Sequence, residues 1–187
     1  MAAITRIGFG QVEPNHLSAQ RTSQIYAQLP AKKDIEVLEN GQFVKYDYAS
    51  GECNFTGAGQ WMMVFNEVKL YDDFWRESYK DFAMQKKNYT PGDDEITHNG
   101  LGPLKGQMVP RVIKINIGDH WTTNALGSGN TDGKATVDCG EFAQGDLVKI
   151  NDKGFAEVGE DAEFQLQVVK VYTLADGQQA VKLMRIK

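Results

Sequence analysis

The stretch Phe142-Ala-Gln-Gly145-Asp-Leu147-Val148-Lys149-Ile150-Asn151-Asp-Lys-Gly154 repeats a pattern already present near the start, in Leu38-Glu-Asn40-Gly41-Gln-Phe43-Val44-Lys45-Tyr46-Asp47-Tyr-Ala-Ser-Gly51. Aligned on Gly41 and Gly145, each copy reads turn glycine, polar residue, large apolar residue, Val, Lys, large apolar residue, then Asp or Asn, with a second turn glycine further on. That is the pattern of a short strand between two tight turns. Asn40-Gly41 is a hairpin signal, because both central positions of a type I′ turn need positive φ and Asn and Gly tolerate it. The chain therefore reads as built around β-hairpins.

Outward from these units the pattern stays β. Ile35 and Val37 alternate with charged residues, and Phe43 to Tyr48 is rich in the β-branched and aromatic side chains that suit a half-buried pleated surface. Trp61 to Tyr71 reads as a long strand, apolar on both faces at first and mixed later, as expected of a central strand that emerges towards its end. In Arg111 to Gly118, Ile113, Ile115 and Ile117 alternate with Lys114 and Asn116. The chain closes on a hairpin, with Phe164 to Leu174 running up, Asp176-Gly177 turning, and Gln179 to Lys187 running down. Strands joined by short turns, without βαβ alternation, predict a mainly β fold, an antiparallel β-barrel or sandwich.

One helix is expected. Asp72-Asp73 supplies an N-cap, Lys86-Lys87 complements the opposite pole, and Phe74, Trp75, Tyr79, Phe82 and Ala83 fall on one face. Residues 88–110 form a long Gly- and Pro-rich loop, of a length that marks functional or disordered segments. Residues 1–34 hold neither a helical nor a strand period and read as an extended N-terminal arm appended to a β-rich domain over 35–187. Such an arm needs something to hold it, either its own domain or a neighbouring chain.

A chain of 187 residues with 41% hydrophobic content is long enough for one sizeable core. Twenty Lys and Arg against twenty-five Asp and Glu give a formal charge of −5, with no long run of either sign. Nucleic acid and anionic membrane surfaces are therefore not the expected partners. With neither a signal-peptide pattern nor an apolar run of membrane-spanning length, the protein is expected to be soluble and made in the cytoplasm. Cys53 and Cys139 are too few for a disulfide framework and lack a CxxC spacing, so they read as small buried hydrophobes. The sequons at Asn54 and Asn88 mean little without a secretory signal.

Phosphate-loop, nucleophile-elbow and zincin motifs are all missing from the sequence. Asp93-Asp94-Glu95 with His98 could offer oxygen and nitrogen ligands to a divalent ion, although a solvated acidic loop is the plainer reading. Asn130-Thr-Asp132-Gly133 with Glu141 is only a partial calcium loop, because Lys134 takes a ligand position and Ala135 the glycine position. Asp119-His120 suggests an acid–base pair, but neighbours on a strand point to opposite faces. No catalytic residue, cofactor or metal is assigned.

The Glu39-Asn40-Gly41-Gln-Phe43-Val44-Lys45 opening, Gly145-Asp-Leu147-Val148-Lys149, Gly118-Asp-His-Trp-Thr-Thr-Asn124 and the closing Tyr172 to Leu183 hairpin together resemble minor virion proteins of tailed bacteriophages, most nearly capsid decoration (cement) proteins. The resemblance implies a structural protein with no enzymatic residues. Such a protein binds the major capsid protein on the outer face of an assembled shell, as a homo-oligomer, and ties neighbouring subunits together. The arm residues Ile4, Ile7, Phe9, Val12 and Leu17, with Ile96, Leu101 and Leu104 of the long loop, are the expected interface. Deleting residues 1–20 should then abolish shell binding and leave the body folded. The alternative is a fibre, tail-associated or carbohydrate-binding β domain, with Trp61, Trp75 or Trp121 as an exposed stacking surface.

Overall fold

The computed structural model describes residues 1–66, 83–86 and 107–187. Its regular structure is mainly β, and every pairing between its strands is antiparallel. The strands are β1 (Ala2–Ile7), β2 (Val12–His16), β3 (Ile25–Tyr26), β4 (Val37–Glu39), β5 (Phe43–Asp47), β6 (Glu52–Asn54), β7 (Gln60–Val64), β8 (Ala83–Gln85), β9 (Val112–Lys114), β10 (His120–Thr123), β11 (Thr136–Phe142), β12 (Leu147–Ile150), β13 (Ala156–Val158), β14 (Leu166–Thr173) and β15 (Gln179–Arg185). A short helix, α1, spans Ser18–Arg21. Nearly all of the helix expected from Asp72 onward, and most of the 88–110 loop, lie outside the described residues. Residues 83–85, placed at the end of that helix by the sequence pattern, are instead strand β8.

A five-stranded sheet has the order β3-β9-β7-β5-β6 and a six-stranded sheet the order β13-β12-β14-β15-β10-β2. Read from their β6 and β13 edges, the two follow one plan: second strand, first, third, fourth, then a strand from earlier in the chain. The likeness reaches individual bonds. Gly41 N–H donates to the Val64 carbonyl and Val64 N–H to the Gln42 carbonyl, while Gly145 N–H donates to Val168 and Val168 N–H to Asp146. Gln42 Oε1 accepts the Glu39 N–H, and Asp146 Oδ2 accepts the Ala143 N–H. Asp47 Oδ1 accepts from Ala49 two residues on, as Asn151 Oδ1 does from Lys153. Phe43 and Val44 face Met63 and Met62, and Leu147 and Val148 face Gln167 and Leu166, in the same register. The repeated stretch in the sequence is thus the opening of a duplicated four-stranded unit.

Asn40-Gly41 makes a turn but not a hairpin. Only Gly41 has positive φ (86°), so the turn is not type I′. It passes the chain from β4, which pairs with β8, to β5, which pairs with β6 and β7. Gly145 does the same between β11, which pairs with β1, and β12.

The two units bury different faces. In the six-stranded sheet Val148, Ile150, Leu166, Val168, Val181 and Leu183 enter the larger core, while Lys149 and Lys182 alternate with them. The five-stranded sheet is covered on both sides. Phe43, Met63 and Ile113 join the larger core, and Val44, Tyr46, Met62, Val64 and Val112 form a second one with Ala31, Ile35 and Leu38. Phe43 is the joint: its ring lies 5.9 Å from Trp121 and 5.5 Å from Phe164, and its N–H donates to the Gly154 carbonyl.

Residues 1–34 are not an arm outside the packed domain. Strand β1 pairs along its length with β11, β2 forms an edge of the six-stranded sheet, and β3 forms an edge of the five-stranded sheet. These strands are short, and their partners lie far along the chain, so no local period announces them.

Candidate functional site

The N-terminal strands are fixed by a buried polar knot. Arg6 and Glu39 are 1% exposed each and form a bidentate ion pair. The Arg6 Nη2 also donates to the Ser128 carbonyl at 2.8 Å. Glu39 accepts the backbone N–H groups of Gly10 and Asn130, both at 2.6 Å. One carboxylate thereby joins β1, the link to β2, β4 and the loop after β10. In the second unit Ala143 stands at the equivalent place, so the knot belongs to the first copy alone. A Glu among apolar positions of a repeat was its sequence signal.

Asp119 and His120 take separate roles. Asp119 is 2% exposed and accepts from Ser18 N–H at 2.9 Å, Ser18 Oγ at 3.0 Å and Asn116 N–H at 2.8 Å. It holds the start of α1, where Leu17 offers no side-chain cap. His120 stacks on His16 of β2, with ring centroids 5.6 Å apart and planes at 23°. The acid–base pairing suggested by adjacency is absent from this geometry.

Two interface candidates, Ile4 and Leu17, are 0% and 4% exposed and fill the protein's own larger core. They cannot anchor a partner without unfolding the chain that carries them. Val12 is partly buried against the same core, and the Phe9 ring closes over Gly133. Ile7, by contrast, is 62% exposed. Ile96, Leu101 and Leu104 lie outside the described residues, as do Asp93 to Glu95, His98 and Trp75. The pattern of Ile113, Ile115 and Ile117 on one face breaks at its end: the first two are buried, while Ile117, beside the turn at Gly118 (φ 90°), is 69% exposed. Ile186 is near it, since Gly118 N–H donates to the Arg185 carbonyl. Ile117 and Ile186 carry no sequence signal that marks them as contact residues.

Trp121 is fully buried and Trp61 half-buried, the latter with Lys45 Nζ 5.2 Å from its ring centre. Neither forms an open stacking platform. The Asn130 loop closes on itself: its Oδ1 accepts from Asp132 and Gly133, and its Nδ2 donates to Gly8 and Ala135. Among the described residues no three His, Cys, Asp or Glu side chains gather as a metal site. Both cysteines are free and buried; burial pushes the Cys53 thiol up to about 12 and raises Cys139 as well. An open concavity of about 350 Å³ is lined by Ser128, Asp138, Glu141, Phe142, Glu157 and Val158 among others. Its rim is acidic, and Glu157 is already paired with Lys149 at 3.2 Å.

Comparison with family models, with curated proteins and with solved structures gives no match.

Proposed function

We propose that this is a structural virion protein that binds the outer surface of an assembled phage capsid, as a homo-oligomer, and bridges neighbouring subunits of the major capsid protein. The resemblance of the turn-and-strand units to decoration proteins suggests the reading. The observation that carries it is the placement of Ile7, Ile117 and Ile186, three of the seven large hydrophobic side chains exposed among the described residues. Ile7 N–H donates to Gln178 Oε1 beside the first residue of β15, whereas Ile117 and Ile186 flank the last, Arg185. A strand of 7 residues spans about 20 Å. Two apolar contact points at opposite ends of one strand suit a protein that touches two subunits at once, where modest contacts multiply when both engage.

The interface therefore shifts from Ile4 and Leu17 to Ile7 at one end and Ile117 with Ile186 at the other. Since these side chains are exposed, Ile7→Asp and Ile117→Asp should each fold normally and each lose most shell binding. Equal binding by wild type and both variants would remove the bridging surface from the account.

A further inference from the structure

We propose that His16 and His120, with Met184 beside them, form a binding site for a transition-metal ion of the copper, nickel and zinc group. This rests on the outer face of the six-stranded sheet and is independent of the capsid reading.

The backbone brings the three side chains into one row. His120 lies opposite His16 on β2 and opposite Met184 on β15, so all three stand on one face of the sheet. The register slips between His120 and Trp121, leaving Asn15 as the extra residue on β2. A bulge of this kind re-aims the side chains beside it. Here Asn15 Oδ1 accepts from Thr122 Oγ1 at 2.9 Å, and His16 is set against His120. His16 is exposed and His120 half-exposed, so both can be reached from water.

The ligand chemistry agrees. His120 Nδ1 lies 3.3 Å from the Gly118 carbonyl, which can only accept; in the tautomer that makes this hydrogen bond, Nε2 holds the free lone pair. Metal-ligating histidines are commonly oriented in this way, by a carbonyl on the second nitrogen. Directly opposed side chains on antiparallel strands have Cβ atoms about 5 Å apart, and metal–imidazole bonds are about 2.0–2.1 Å. The two rings are stacked in the ion-free chain, so joint ligation of one ion requires them to rotate out of that stack. The thioether of Met184 adds a soft donor suited to copper. The strand beneath is rigid, because Asp119 is tied to Ser18 and Asn116 and Trp121 is buried. Glu13, opposite Thr122, is the nearest carboxylate on that face by register, and Lys182 the nearest cation. An ion held here would fasten the edge strand β2 to β10.

The test is calorimetric titration of the untagged full-length protein with Cu(II), Ni(II) and Zn(II) in turn, with electron paramagnetic resonance of the Cu(II) sample. The expected result is one ion per chain, Cu(II) tightest as the Irving–Williams order requires, and a spectrum with two nitrogen ligands. His16→Ala and His120→Ala should each weaken binding on the order of 100-fold, the loss expected when two linked donors become one. His120→Gln serves as a second variant should His120→Ala lower the melting temperature of the metal-free protein. Binding by wild type no tighter than by these variants, or a single-nitrogen spectrum, overturns the assignment.

Discussion

Arg6 and Glu39 face each other across 33 positions of sequence as a buried ion pair, and Glu39 also holds the amides of Gly10 and Asn130. Removing one member of such a pair strands the other charge in a medium that cannot solvate it, at a cost of about 3–5 kcal/mol. Arg6→Met alone and Glu39→Gln alone should both destabilise by this amount in urea unfolding. The double variant should cost less than the sum of the two, because neither charge is then left unpaired. Strict additivity would mean that the two side chains do not interact.

The same knot predicts the outcome of truncation. Deleting residues 1–20 removes Ile4, Leu17 and Ala19 from the larger core, Arg6 from Glu39 and β1 from β11. The truncated chain should lose cooperative thermal unfolding as well as any binding, in contrast to the separable arm expected from sequence. A sharp melt near that of the full chain would restore the arm.

Gly41 and Gly145 share a backbone conformation, φ 86° and 91°, but not their surroundings. A Cβ on Gly41 would lie 2.6 Å from Thr123 Oγ1 and 2.8 Å from the Ala125 Cβ, whereas one on Gly145 meets nothing within 4 Å. Gly145→Ala should cost about 1–2 kcal/mol, the left-handed penalty alone. Gly41→Ala should cost at least twice as much. Equal losses would show that only the turn, and not the packing of the first unit against β10, constrains Gly41.

This contrast also shows what could be read from sequence. The opening of each unit was legible because glycine turns and alternating apolar residues act locally. The rest of the duplication was hidden, since a tight turn at Gly177 joins β14 to β15, while the chain from Val64 to Val112 joins β7 to β9. Strands β1 and β2 were illegible for another reason. Ile4 is buried because the pairing of β1 with β11, far along the chain, brings it into the larger core. His16 and His120 are far apart in the sequence, and only the pairing of β2 with β10 sets them against each other.

Among the described residues five aspartates contribute to the acid response: Asp34, whose carboxyl is lowered by its hydrogen bond to Lys32, and four held by backbone N–H donors. Backbone N–H donors lower the carboxyls of Asp47, Asp132, Asp161 and Asp176 below the ordinary 3.8: Ala49 for the first, Lys134 for the second, Phe164 for the third and Gln178 for the fourth. With the folded value below the unfolded one, the charged form stabilises the fold above about pH 4, and this contribution is lost as pH falls through the folded values. The melting temperature should therefore hold from pH 6 to about pH 4 and fall below it. Asp161→Asn should flatten that fall; an unchanged slope would show that this turn carries none of it.

The measurement that bears most directly on the proposed role is co-sedimentation of the full-length protein with mature, expanded shells of the major capsid protein proposed as its partner. Saturable pelleting at a fixed ratio to capsid subunits, reduced by Ile7→Asp and by Ile117→Asp, is the predicted result. Failure to pellet at any salt concentration would contradict it and bring the fibre or glycan-binding alternative forward.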